Sequence, residues 1–348
     1  MHRSLLGLSE RDAGQYKGRR VLVTGADGFI GSHLVEALVA AEAKVTALCL
    51  YNSFDTFGWI DDLPSASRCR VNAVRGDIRD AAFMRAIISG QDIVFHLAAL
   101  IAIPHSYVAA QSYVDTNVLG TLNVLEAVRE SDVRRVVHTS TSEVYGTALT
   151  VPISETHPLQ GQSPYSASKI GADMLAESFA RSHDLPVVTL RPFNTFGPRQ
   201  SERAVIPAVL RQALDPDVPA ISVGDTSPIR DFTFVADTVA AFLSVGASGA
   251  VEFGVPYNAG TGHAVTIGDV VALLCELTDC RKPIEQDTQR LRPPKSEVRE
   301  LLADPSKLAA TTGWQASVSL REGLNVTVDW WRSRLSQGKV RRERSYSI

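Results

Sequence analysis

The segment HTSTSEVYG, residues 138–146, sets Thr141, Ser142 and Glu143 side by side just past a β-branched run, and Tyr165 and Lys169 follow four residues apart. Four-residue spacing at the start of a helix puts both side chains on one face. A tyrosine titrates near about pH 10, and an ammonium beside it favours the phenolate. The pair therefore predicts an acid/base unit that takes a hydroxyl proton while hydride leaves the same carbon. Thr141 is placed to hold the oxygen being oxidised. The ketone so formed acidifies the neighbouring C–H, and the Glu143 carboxylate is competent to remove that proton. Ser142 is too weak an acid to protonate a departing hydroxyl at neutral pH, though it can orient water or relay a proton.

Chemistry of this kind needs a hydride acceptor, and the stretch VLVTGADGFIGSHLVEALVAA supplies a cradle for one. Gly25 permits a tight turn between an apolar strand and an amphipathic helix. Gly28 lets the backbone approach a pyrophosphate, and Gly31 lets the helix pack closely on the sheet. The second strand ends in LCLYNSFDTFGW, without the acidic residue that often holds the adenosine ribose. Asn52 is the candidate partner for a ribose hydroxyl there. No arginine adjoins it in sequence to attract a 2′-phosphate, so NAD is expected rather than NADP. Asp77, at the end of another strand, is placed to accept an amine hydrogen bond or to cap its own loop.

Between residues 19 and 194, β-branched runs alternate with helix-length segments, as in a doubly wound parallel α/β (Rossmann) sheet. The strands are RRVLVTG, KVTALCLY, CRVNAVRGD, DIVFHLAAL, RRVVHTSTS and PVVTLRPFN; the clearest helices are SYVDTNVLGTLNVLEAVRES and PYSASKIGADMLAESFARSHD. Pro164 suits the first turn of the second helix. After RPFNTFGPRQ the rhythm shortens and Pro and Gly increase, which predicts a smaller, interleaved C-terminal substrate lobe. The expected organisation is an arm over 1–17, a dinucleotide domain over 18–195, the substrate lobe over 196–335 and a basic tail over 336–348.

The 348 residues, 45% of them hydrophobic, suffice for a full core. A net charge of −3 with scattered Lys and Arg argues against a nucleic-acid or membrane surface. The longest apolar run holds His96 and is too short to span a bilayer, and no signal-peptide core is visible, which points to the cytoplasm. Cys49, Cys69, Cys275 and Cys280 form no CxxC pair, and the histidines lack metal-ligand spacing, so no metal is expected.

Taken in order over residues 19–320, GxxGxxG, RGDIRD, FHLAAL, TNVLGTLNVLEA, YSASK and RPFNTFGPR resemble the extended short-chain dehydrogenase/reductase family. The resemblance implies that Phe29 and Ile30 join the glycines at the cofactor, that Asp77 and Ile78 flank the adenine, and that Leu97, Ala98 and Ala99 line the dinucleotide. It implies that Asn194, Arg199, Val205, Arg230 and Arg292 contact a nucleotide-sugar substrate. It also implies a homodimer in which the helices at 116–130 and 165–184 pair into a four-helix bundle.

The Thr–Ser–Glu turn is similar to that of nucleotide-sugar 4,6-dehydratases, many of which carry Asp where Ser142 stands. It is also similar to that of UDP-glucuronate decarboxylases, whose reaction needs no leaving-group acid. The segments LCLYNSFDTFGWIDDL and AALIAIPHSYVAAQSYVDTN resemble amino-sugar 4,6-dehydratases of legionaminic-acid-type pathways, which favours dehydration on a UDP- or GDP-linked hexose or N-acetylhexosamine. Decarboxylation and 4-epimerisation stay open. So does a non-catalytic dinucleotide sensor, against which the retained Tyr165 and Lys169 weigh.

Overall fold

The computed structural model describes residues 14–291, 293 and 295–340. Its centre is a seven-stranded, wholly parallel sheet. Six strands are those read from the β-branched runs: β1 (Arg20–Thr24), β2 (Lys44–Leu50), β3 (Val71–Gly76), β4 (Ile93–His96), β5 (Arg135–Thr139) and β6 (Val187–Pro192). A further strand, Pro256–Ala259, pairs with β6 at the sheet edge, so the sheet recruits chain from well beyond residue 195. The order across the sheet is that strand, then β6, β5, β4, β1, β2 and β3. The winding reverses between β4 and β1, and the crevice beyond their carboxyl ends is where such sheets bind ligands.

Helices cover both faces. Val21 and Val23 of β1 point to the face of α1 (Phe29–Ala40), where Leu34 and Leu38 are fully buried. Leu22 points to the opposite face, with Val124 and Val128 of α2 (Gly120–Arg129) and Phe179 of α3 (Pro164–His183). Burial on both faces explains why these strands are continuously apolar rather than alternating. α2 is entered through Ala110–Tyr113 and a π-helical stretch, Val114–Leu119, where the sequence periodicity suggested one regular helix. The start of α3 is fixed by a capping box between Ser163 and Ser166, with Pro164 in the first turn.

The remaining chain builds a four-stranded sheet around β7 (Ile229–Phe234), including Asn194–Phe196, and the helix Val205–Leu214. The end of the expected N-terminal arm belongs to the core instead. Tyr16 is fully buried and its hydroxyl donates to the Leu243 carbonyl at 2.6 Å. The rest of that arm, the end of the basic tail and Arg292 lie outside the described residues.

Candidate active site

The loop after β1 has the shape a dinucleotide requires. Gly25 adopts φ +67°, and a Cβ there would lie 2.8 Å from the Ala98 nitrogen. A Cβ on Gly31 would lie 2.2 Å from the Gly25 carbonyl oxygen. Only glycine fits either place, so the loop stays low and its backbone open for a pyrophosphate. Phe29 and Ile30 begin α1, half-buried. The facing wall, Leu97 to Ala99, is pinned because the Thr24 hydroxyl accepts from the Leu97 and Ala98 nitrogens at 3.1 and 3.0 Å. Ile78 is buried against Gly120.

Two expected cofactor partners are already engaged. Asp77 accepts a fork of bonds from Arg79 at 2.6–3.0 Å, which holds its carboxyl below the usual range. Asn52 donates to the Leu50 and Thr56 carbonyls and accepts from the Phe54 nitrogen, which ties its amide to its own loop. The sequence also hid an arginine at this end. Arg75 of β3 stands beside Cys49 of β2 in the register and reaches Asp55 at 2.8 Å.

Across the crevice, Thr141, two residues past β5, is in extended backbone; its hydroxyl accepts from the Glu143 nitrogen at 3.2 Å and acts on the Tyr165 phenol to favour its ionised form. Ser142, Glu143 and Tyr145 make a single 3₁₀ turn, with Ser142 buried. Tyr165 and Lys169, only 7% and 4% exposed, share one face of α3. Thr141 and Glu143 thus lie near Tyr165, and Lys169 follows it on the same helix face.

Their electrostatics differ from expectation. Burial pushes the Tyr165 phenol up; the Thr141 bond eases this, and the Glu143 carboxylate adds to it. Lys169 donates to the Thr139 carbonyl at 2.7 Å instead of the Tyr165 hydroxyl. Burial lowers its ammonium to about 8, against support from Asp173. The phenolate-promoting pair assumed from spacing is therefore not formed by these two groups alone.

Beneath them lies a buried polar network that the sequence reading missed. Asp173, one turn beyond Lys169, accepts from Ser140 at 2.7 Å, from the Arg191 fork at 3.0 and 3.1 Å, and from His138 at 3.1 Å. Arg191 continues to the Tyr145 hydroxyl and thence Asn258. The recurring four-residue spacing, Tyr165, Lys169, Asp173, was the available signal. Tyr113, whose ring meets Tyr165 edge-on at 6.3 Å, was the other omission.

The proposed substrate residues divide. Asn194 keeps a buried carbonyl oxygen without a hydrogen-bond partner, as a ligand-facing group does. Val205 opens its helix half-buried. Arg230 is buried and ion-paired with Glu297 at 3.1 Å. Arg199 bonds Glu36 at 3.0 Å and Ser32 at 3.5 Å, both on α1. Among the described residues, no His, Cys, Asp and Glu group could hold a metal, and no helix is long and apolar enough to cross a membrane.

The family model for GDP-mannose 4,6 dehydratase matches residues 22–327. The chain belongs to that family. It is 35% identical over 327 residues to a dTDP-glucose 4,6-dehydratase of Actinoplanes sp., covering 91% of this chain and 99% of that protein. The dTDP-glucose 4,6-dehydratase DesIV of Streptomyces venezuelae, solved with NAD bound, superposes with a TM-score of 0.82 at 30% identity, covering 91% and 98% of the two chains. A UDP-N-acetylglucosamine 4-epimerase from Methanobrevibacter ruminantium, in complex with UDP-N-acetylmuramic acid, matches with the same TM-score and identity over 91% and 99%. Relatives of this chain therefore include both dehydratases and epimerases of nucleotide sugars.

Proposed function

We propose that the protein is an NAD-dependent nucleotide-sugar 4,6-dehydratase. The observation that carries this reading is the turn joining Thr141 to Glu143. It sets a carboxylate close enough to Tyr165 to raise that phenol, beside the hydroxyl that bonds it. An epimerase needs no base at that place. NAD in the glycine cradle would supply the hydride acceptor at sugar C4 and return the hydride to C6. Tyr165 takes the C4 hydroxyl proton, and Thr141 holds both oxygens in line. Glu143 then removes the C5 proton made acidic by the ketone, that proton passes by way of Ser142 to the C6 oxygen, which leaves as water, and C5 takes a proton from solvent as hydride arrives at C6. Ser142 orients that departing hydroxyl. Asn194 and Arg230 hold the diphosphate, Arg230 exchanging Glu297 for phosphate oxygens in the bidentate geometry an arginine favours. The substrate is a hexose or N-acetylhexosamine on a uridine, guanosine or thymidine diphosphate.

The working unit in this reading is a homodimer. Val114, Leu119 and Met174 are exposed apolar side chains on the helical run 110–129 and on α3, and a second copy would cover them. The deciding experiment is mass spectrometry after incubation with UDP-, GDP- and dTDP-sugars. Loss of water from one of them is expected. Loss of carbon dioxide from a uronate, or no mass change with epimer formation, would overturn dehydration.

A further inference from the structure

The adenosine end of the cradle poses a problem the rest of the site does not. An acid at the end of the second strand ordinarily accepts from the ribose hydroxyls and repels a 2′-phosphate. Here β2 ends at Leu50, followed by Tyr51 and Asn52, and the Asn52 amide is held within its own loop. Yet a carboxylate is present there. Asp27, between Gly25 and Gly28, accepts from the Leu50 nitrogen through Oδ2 at 3.3 Å, so the glycine loop delivers an acid to the last residue of β2. The neighbouring loop closes on it: the Asp27 carbonyl accepts from the Trp59 nitrogen at 3.2 Å, and a Cβ on Gly58 would come within 2.9 Å of the Asp27 Cβ.

The opposing charge is also present, and it is restrained. Arg75 of β3 lies in register with Cys49, one residue before the end of β2. Its guanidinium sits over the Phe57 ring at 4.0 Å and pairs with Asp55 at 2.8 Å.

We propose that Asp27 is the residue that sets NAD over NADP in this protein, accepting from the adenosine ribose in place of a strand-end acid and repelling a 2′-phosphate. Asp55 and Phe57 complete the selection by keeping Arg75 from such a phosphate. The proposal rests on the dinucleotide part of the proposed function and not on dehydration.

The test reads binding without turnover. Full-length protein is equilibrated with equimolar NAD and NADP, separated from free nucleotide, and its retained nucleotide is quantified by chromatography. Wild type should retain NAD over NADP by about tenfold or more, a like-charge penalty at short range. Asp27→Asn and Asp27→Ser should each bring the two within about threefold. Adding Asp55→Asn should tilt the ratio further towards NADP, and Arg75→Gln in that double variant should reverse the tilt. A wild-type ratio in both folded Asp27 variants, with melting temperatures unchanged, overturns the proposal. Wild type that retains neither nucleotide overturns it together with the cofactor reading, and wild type that prefers NADP overturns the selection alone.

Discussion

At the Tyr165 hydroxyl, burial and the Glu143 charge oppose ionisation, and only the Thr141 bond favours it within the chain. The phenol is therefore protonated at rest, and the positive charge of an oxidised nicotinamide bound in the cradle would favour its phenolate. Tyr165→Phe should lower turnover by about 10²–10⁴-fold or more, since it removes the group placed to take the C4 proton. Glu143→Gln keeps the shape and one hydrogen-bonding oxygen but removes the base. It should stop both water loss and the incorporation of solvent deuterium at C5, as followed by mass spectrometry in heavy water. Deuterium incorporation and dehydration at the parental rate in Glu143→Gln would exclude Glu143 as the base. Ser142→Asp supplies a stronger acid beside them and should preserve or raise dehydration.

Elements decide whether those residues meet. Six strands and the start of α3 could be read from the sequence because β-branched runs, Ser163 and Pro164 carry local signals. The strand Pro256–Ala259 and the π-helical Val114–Leu119 could not, since one, PYNA, has no β-branched residue and the other differs from an α-helix only in its bonding. The same limit applied to the site. Spacing brought Tyr165 and Lys169 together, but only tertiary pairing shows that Asp173 faces Lys169 and is fixed by His138, Ser140 and Arg191. Lys169 in turn acts on His138 and on His96 of β4, whose imidazoles burial already lowers. Asp173 is thus the anion supporting the Lys169 ammonium, whose midpoint in the free protein is about 8. The charged form exists below that midpoint and is lost as pH rises through it. Asp173→Asn should move the loss to lower pH by about one unit or more, because an adjacent opposite charge is removed. The alkaline limb of kcat/KM is the readout. A limb unmoved in a folded Asp173→Asn protein would count against this coupling.

Over the whole molecule, the chain that follows β6 is tied back to α1 by an ion pair that the sequence presented as something else. Arg199 follows the RPFN strand and looks like a phosphate ligand, but its partner Glu36 lies 163 residues earlier on α1, a relation no local pattern encodes. The pair is almost wholly buried, at 11% and 8% side-chain exposure, and Ser32 supplies a further contact. It ties the segment entering the substrate lobe to the helix whose N-terminus carries the glycine cradle. Breaking one side leaves a charge in a poorly solvated place, which costs about 3–5 kcal/mol, whereas replacing both sides with packed apolar groups is often neutral. Arg199→Met should therefore lower the denaturation midpoint clearly, and Glu36→Met should do so as well. The double variant should recover most of the loss, so that the coupling in a double-mutant cycle approaches the sum of the two single losses. Nucleotide-sugar affinity separates the two readings of Arg199. If it is the lobe tie, the double variant binds substrate nearly as wild type does. If it is a diphosphate ligand, the double variant regains stability while its affinity stays low, and isothermal titration with UDP, GDP and dTDP distinguishes these outcomes.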